Sequence, residues 1–318
     1  MKILVPNSFS EHGIKLLQKA DFQVLTTTVA LNQLEQFITT NAIDIIITKS
    51  PTSITKELID ACPTLKLIGS TEVDKNSMVT SHAKAKGIKI IDTPFAIANS
   101  VAELVFAHLF GMVRFLHQAN REMPLEGDIR FNDLRKQFST GTELKGKTLG
   151  IIGLGNIGKE VAKIAIGIGM KVIATSSSIK KEVINLSFYN GTSVAFEIET
   201  QSLESLLKES DFITIHTPYQ GAVLIGKQEI ELMKTGVGII NTSQGGTLDE
   251  IALINAIETE KVKYAALDVY ETEPKPEIQL LMNPELSLTP HIGGKTIDSN
   301  YKVEKEIINQ LVSFINNN

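Results

Sequence analysis

The 318-residue chain has a single cysteine, Cys62, so no disulfide can form within it. Its stability has to come from packed cores. No apolar run approaches the ~18–20 residues that cross a bilayer, and the opening MKILVPNSFSEHG has too short an apolar stretch for a secretory leader. Basic residues form no block. The formal charge of −5 is spread along the chain, which leaves no electrostatic footprint for nucleic acid or an anionic membrane. Internal repeats and low-complexity segments are also missing. These absences point to a cytoplasmic globular protein with neither nucleic acid nor membrane as a partner. A content of 42% hydrophobic and 21% charged residues fills sizeable cores at a length that suits two domains.

What the chain does have is alternation. Short β-branched runs, KILVP, FQVLTT, DIIITK, KLIGS and KIIDTP, are separated by amphipathic stretches such as EHGIKLLQKA and LNQLEQFITT. Strand, helix, strand, helix predicts a parallel sheet wrapped by helices. After Pro94 the pattern changes to ANSVAELVFAHLFGMVRFLHQANREM, read as one helix of roughly 35–40 Å at 1.5 Å per residue. That helix bridges into a second domain, and its surplus apolar residues between Ser100 and Phe115 predict a homodimer face. A second alternating series starts at Lys147, with TLGIIGLG, KVIATS, DFITIHT, GVGIINTS and YAALDVY. An Asn-Gly pair inside VINLSFYNGTSVAFEIETQ predicts a hairpin leaving the sheet. The closing SNYKVEKEIINQLVSFI has the period of a helix that packs back onto the first domain. The expected fold is α/β, with two parallel-sheet Rossmann-like domains: residues 97–291 inserted into a discontinuous domain of residues 1–96 and 292–318.

The spacing Gly153, Gly155, Gly158 is a GxGxxG hexad directly after an apolar strand and directly before a helix. Alone the hexad is a weak signal; in this setting it predicts a dinucleotide site. The first glycine makes the tight turn and the second admits a pyrophosphate. The third lets helix and strand pack, while the helix N-terminus offers free N–H groups to the anion. An NAD site usually has an acidic residue at the end of the next strand for the adenosine ribose. Here that strand ends in Thr175, Ser176, Ser177 and Ser178, with no carboxylate. Hydroxyls can still bond a ribose, and Lys180 or Lys181 can meet the 2′-phosphate of NADP. NAD is favoured, with NADP left open.

GLGNIG, SVAELVFAHL, NTSQGGTLDE, ALDVYETEP and LTPHIGG, in this order, resemble the D-isomer-specific 2-hydroxyacid dehydrogenases over nearly the whole chain. Within that family the likeness is to the short form of bacterial D-3-phosphoglycerate dehydrogenase. The resemblance implies a cofactor domain inserted into a substrate domain, dimerisation through the cofactor domain, and no appended regulatory domain. It also implies hydride transfer between a nicotinamide and C2 of a D-2-hydroxy or 2-oxo acid. By the family's pattern His291 takes the hydroxyl proton and Glu273 holds that histidine. Cofactor contacts fall on Gly153, Gly155, Asn156, Ile157, Gly158, Ser176, Thr217, Pro218, Asp268 and Gly294. No metal is implied.

The family's carboxylate-binding arginine is missing, and Gln244 stands in its place. A guanidinium grips a carboxylate with two parallel charge-assisted bonds, whereas glutamine offers a neutral amide on a shorter stem. Removing a buried charged partner costs about 2–5 kcal/mol, which is roughly 30- to several-thousand-fold in rate. The family's glycine-rich carboxylate turn is replaced by Ser70, Thr71 and Glu72. Glu72 either faces the substrate with an opposing charge or points to solvent. With the absent ribose acid, three functional positions differ together. Two readings follow: a D-2-hydroxyacid dehydrogenase, slow or shifted in substrate, or a dinucleotide-binding paralogue that acts by association. Possession of both His291 and Glu273 favours the first.

Overall fold

The computed structural model describes residues 1–7, 9–48, 54–70, 78–93 and 95–316. They form two compact units, residues 1–97 with 297–318, and residues 98–296.

The first unit alternates strands β1 (Lys2–Val5), β2 (Gln23–Thr26), β3 (Ile45–Thr48), β4 (Leu67–Ser70) and β5 (Lys89–Asp92) with helices α1 (Glu11–Lys19), α2 (Leu31–Asn41), α3 (Lys56–Ala61) and α4 (Met78–Ala85). The strands pair in parallel in the order β2-β1-β3-β4-β5. A parallel sheet is buried on both faces, and the isoleucines divide between them. Ile3, Ile45, Ile47 and Ile91 join Leu17 and the C-terminal residues Val303, Ile307, Ile308 and Leu311. Leu4, Ile46 and Ile68 face Leu34, Ile38, Leu58 and Ile59. The last helix thus completes the core of the first unit, and Ser10 N donates to its Glu304 at 2.8 Å.

The second unit begins with helices α5 (Ala98–Val113), α6 (Leu116–Glu126) and α7 (Phe131–Gln137). It continues as β6 (Thr148–Ile152), α8 (Asn156–Gly167), β7 (Lys171–Thr175), a hairpin β8 (Lys181–Ser187) and β9 (Ser193–Glu199), and α9 (Leu203–Glu209). Then come β10 (Phe212–Ile215), α10 (Lys227–Leu232), β11 (Val237–Asn241), α11 (Glu250–Glu258), β12 (Val262–Leu267), α12 (Ile278–Leu281) and β13 (Leu286–Leu288). The C-terminal helix of the first unit is α13 (Ile297–Asn316). The parallel order is β13-β12-β11-β10-β6-β7. The chain moves from β6 out to β7 and then returns past β6 to β10, so the strand order reverses between β6 and β10. Successive strand residues face opposite sides. Leu149, Ile151, Phe212 and Ile240 meet α5 and α8, while Ile152, Ile213, Ile215 and Ile239 meet α9, α10 and α11. The Asn-Gly signal is a hairpin: β8 and β9 pair antiparallel and Gly191 takes φ +84°.

The long helix expected after Pro94 is instead two helices, bent by 57° between α5 and α6. Phe115 at the break is left-handed, with φ +55°, and its ring packs 6.0 Å from that of Phe138. Thr142 N donates to Val113 O at 2.9 Å, so a terminal carbonyl of α5 finds a partner outside the helix. Tertiary contacts, with no glycine or proline at the break, override the apolar periodicity. The segment expected to leave a surplus of exposed apolar residues, Ser100–Phe115, is largely buried. Most of α5 is core; within the segment Phe110 stays exposed, and further exposed apolar side chains follow at Leu116, Met123, Leu125, Ile129 and Phe131. Among the described residues no single helix is long and apolar enough to cross a membrane; α5 and α6 meet that test only jointly.

Leu311 is fully enclosed. Leu311→Ala should cost about 2–5 kcal/mol, read by urea denaturation. Hydrogen exchange should place the loss in β1, β3 and β5 while β6 and β10 stay protected. Unchanged exchange in β1 would show that α13 does not complete this core.

Candidate active site

The glycine hexad lies where the strand order reverses, the position at which open α/β sheets leave a crevice beyond their strand ends. Gly153 has φ +100°, and a Cβ on it would lie 2.7 Å from His216 O and 2.8 Å from Thr217 Cγ2. Only glycine lets the loops after β6 and β10 touch there. A Cβ on Gly158 would lie 2.1 Å from Gly153 O, so the start of α8 is pressed onto the turn. Among the described residues nothing lies within 4 Å of the Gly155 Cβ position, and no side chain caps the N-terminus of α8. Thr217 Oγ1 is buried without a partner among the described residues. Open backbone, an uncapped helix start and an unsatisfied hydroxyl fit a pyrophosphate. Asn156 and Ile157 are half-buried on the first turn of α8, and Pro218 is exposed on the loop after β10. His216 holds Nε2 2.9 Å from Thr214 Oγ1. Burial pushes its pKa down to about 3, so this ring stays neutral.

At the end of β7, Ser176 Oγ accepts from Ile179 N at 3.2 Å and Ser178 N at 3.4 Å, closing a tight turn. Its hydroxyl hydrogen remains to donate. Ser177, Ser178 and Lys180 are exposed. Lys181 is engaged by Glu197 at 2.7 Å, and that hydrogen bond raises its pKa. The next acid along the chain, Glu182, pairs with Lys159 at 2.9 Å. No carboxylate stands on the turn itself.

His291 and Glu273 follow the neighbouring strands β13 and β12 and meet, with Nδ1 2.8 Å from Glu273 Oε2. The other carboxylate oxygen accepts from Tyr270 N at 3.1 Å. A carboxylate accepts, so Nδ1 carries the proton and Nε2 is left with its lone pair on a half-exposed ring. His291 itself has φ +53°, an uncommon conformation for a side chain of this size. Asp268, 1% exposed, holds the turn. Its Oδ1 accepts from Thr289 Oγ1 at 2.6 Å and Ile292 N at 2.8 Å, and its Oδ2 accepts from Gly293 N at 2.8 Å. Tyr270 OH donates to Thr289 O at 2.9 Å, and burial pushes its pKa up to about 12. Gly294 is half-buried at the end of this segment.

Gln244 leaves β11 on a loop set by close backbone contact. A Cβ on Gly245 would lie 1.8 Å from Tyr270 O, so this position takes glycine alone. Asn241 ties the loop from within, donating to Thr247 Oγ1 at 3.0 Å and accepting from Ser243 Oγ at 2.8 Å. Gln244 Oε1 accepts from Tyr219 N at 2.7 Å. That contact uses the amide oxygen and leaves Nε2 exposed, with no hydrogen bond among the described residues. The side chain therefore presents a neutral donor.

The structure thus joins His291 to Glu273, Asp268 to the residues after His291, and the hexad to Thr217. Gln244 reaches the loop after β10 through Tyr219. Ser176 lies apart, on the far side of β6. Of the replaced carboxylate turn, Ser70 ends β4, and Thr71 and Glu72 lie outside the described residues. Sequence reasoning overlooks Tyr219, Tyr270 and Thr289. Only Thr289 had a signal, one strand register before His291 in LTPHIGG.

Comparison with known proteins identifies the family. Residues 106–293 match the model of the D-isomer specific 2-hydroxyacid dehydrogenase, NAD binding domain. The chain is 35% identical to hydroxypyruvate reductase of Thermotoga maritima, over 93% of this chain and 92% of that protein. It is 35% identical to D-3-phosphoglycerate dehydrogenase of Methanocaldococcus jannaschii over 93% of this chain, but spans only 54% of that protein. A glyoxylate reductase from Paecilomyes thermophila superposes with a TM-score of 0.79 at 28% identity, covering 98% of this chain and 94% of that structure. The chain belongs to the D-isomer specific 2-hydroxyacid dehydrogenase family.

Proposed function

We propose that this protein is an NAD(P)-dependent oxidoreductase acting between a D-2-hydroxy acid and its 2-oxo acid, of the D-3-phosphoglycerate dehydrogenase kind, with weakened or altered carboxylate recognition. The observation that supports it is the His291–Glu273 pair, with Nε2 left for a substrate oxygen. In reduction the protonated imidazole gives its Nε2 hydrogen to the carbonyl oxygen. In oxidation Nε2 takes the hydroxyl proton, and Glu273 balances the charge that forms on the ring. A nicotinamide, when bound, would supply or accept the hydride. Gly155 and the first turn of α8 would hold its pyrophosphate, with Thr217 alongside. NAD is the favoured cofactor, and the carboxylate-free end of β7 leaves room for the 2′-phosphate of NADP.

Gln244 supports a second reading, a dinucleotide-binding paralogue with little catalysis that acts by association. The apolar side chains exposed on α6, α7 and the turn between them, Leu125 at 76% and Ile129 at 84% among them, support a homodimer. Monomeric proteins rarely leave such residues grouped in water.

Cofactor binding is tested by melting temperature. NADH or NADPH should raise it, increasingly with concentration, and Gly155→Val should abolish the rise by filling the open face. No shift with either at millimolar concentration refutes a dinucleotide site.

His291→Ala should lower kcat/KM for 2-oxo acids about 10²–10⁴-fold while the thermal shift with NADH persists. Gln244→Arg should raise kcat/KM at least about tenfold, the worth of one recovered charge-assisted contact. Adding Glu72→Gly should exceed the sum of the single effects if Glu72 pairs with the new arginine. A double variant that binds NADH and turns over no 2-oxo acid would favour the paralogue reading.

Light scattering should give about twice the chain mass of 34.8 kDa, and Leu125→Asp with Ile129→Asp should give a monomer. A monomer for the unaltered protein at micromolar concentration rules the dimer out.

A further inference from the structure

The buried face of α5 holds an imidazole that the chemistry proposed above does not use. His108 is 4% exposed, between Val105, Leu109 and Met112 in the core, where a leucine would fill the space without desolvation. Both of its ring nitrogens are engaged. Nδ1 lies 2.8 Å from Ser287 Oγ and Nε2 lies 3.1 Å from Thr289 Oγ1. Ser287 and Thr289 are two residues apart on β13 and its extension, hence on one face, and together they bracket the ring.

The directions of these bonds can be worked out. Asp268 is a carboxylate and only accepts, so the Thr289 hydroxyl hydrogen goes to Oδ1 at 2.6 Å. Thr289 Oγ1 then has only acceptor capacity left for His108. The ring proton therefore sits on Nε2, and Nδ1 accepts from the Ser287 hydroxyl. Burial lowers the His108 pKa against a smaller opposing pull from Asp268, which agrees with a neutral ring. The donors run one way: Ser287 to His108, His108 to Thr289, Thr289 to Asp268. The same carboxylate takes the amides of Ile292 and Gly293, the two residues after His291.

We propose that His108 is a positioning residue: its Nε2–H fixes the Thr289 rotamer that converges with the Ile292 and Gly293 amides on Asp268. The left-handed turn that sets His291 against Glu273 is thereby held from the core side. The inference rests on the reading of His291 as the acid–base group, but the hold on the turn can be measured without turnover.

The test compares His108→Leu, His108→Gln and Thr289→Val. Glutamine can reproduce both bonds, donating to Thr289 and accepting from Ser287; leucine and valine cannot. In the unliganded protein, amide exchange at Ile292 and Gly293 should quicken about tenfold or more in His108→Leu and Thr289→Val, and return close to the unaltered rate in His108→Gln. With NADH and a 2-oxo acid, kcat should fall about tenfold in the leucine variant, with KM and the NADH dissociation constant within about twofold. Unchanged exchange at Ile292 and Gly293 in both disrupting variants overturns the proposal. So does a rise spread evenly over the second unit, or a glutamine variant no better than leucine, since each signifies packing alone. If His108→Leu does not fold, Thr289→Val against His108→Gln decides. If no substrate turns over, the exchange pattern still decides the hold on the turn, and only the assignment of His291 fails.

Discussion

A carboxylate shut away from water has to find donors, and the one on Asp268 organises the end of the β12–β13 edge of the sheet. With 1% of the residue exposed, its charge is tolerable only because Thr289, Ile292 and Gly293 all donate to it. An unpaired buried charge would cost several kcal/mol. Two of those donors are backbone amides just after His291, so satisfying Asp268 requires the chain to turn back where the histidine stands. The left-handed His291 follows from that demand. Glu273 is aimed by the same neighbourhood, since Tyr270 donates its N–H to Glu273 and its hydroxyl to Thr289 O. One buried charge thus sets both members of the imidazole–carboxylate pair.

The opposite side of the site depends on absence of bulk. Parallel strands send all their following loops to one edge of the sheet, and backbones can crowd there only where a side chain is missing. Gly153 lets the loops after β6 and β10 touch, and Gly245 lets the loop after β11 rest on Tyr270 O. The two requirements differ from that at Gly155, whose Cβ direction is empty. Gly153 and Gly245 are compelled by the protein's own packing, whereas Gly155 leaves open space at the start of α8. Of the three, only Gly155 has a spacing that packing alone does not explain.

Much of this was legible beforehand, for reasons that can be named. Runs such as FITI and GVGII announce strands buried on both faces, and Asn190-Gly191 announces the hairpin, because each is a local signal that the tertiary structure leaves alone. The His291–Glu273 contact was reachable only through the family's motif pattern, since 18 residues separate the two. The bend at Phe115 left no trace, because a phenylalanine in the left-handed region is stabilised by Phe138 and Thr142, both distant in sequence. His108 was hidden for the opposite reason. Its helix period marks it as core, and core it is; what distinguishes it is the pair of hydroxyls on a strand nearly 180 residues later. Gln244 was conspicuous as an exchange of residue type, but its bond to Tyr219 N, which turns the amide donor outward, belongs to the fold.

The proposed departures and the residues present fall on different terms of catalysis. A substrate carboxylate bears the same charge before and during hydride transfer, so a guanidinium that grips it stabilises ground state and transition state alike. Losing such uniform binding raises KM and leaves kcat in place. The ribose contact at the end of β7 is of the same kind, because the adenosine end takes no part in the reaction. On the proposed reading the imidazole–carboxylate pair acts where a proton moves and charge develops on the ring, so its worth appears in kcat. By the same reading, Gln244 and the serines after β7 weaken recognition, while His291, Glu273 and the Asp268 clamp conserve the chemical step. On the proposed reading, an enzyme with this division holds its usual substrates poorly and still turns them over when saturated. A ligand that needs only a neutral donor at the Gln244 position would escape the penalty altogether.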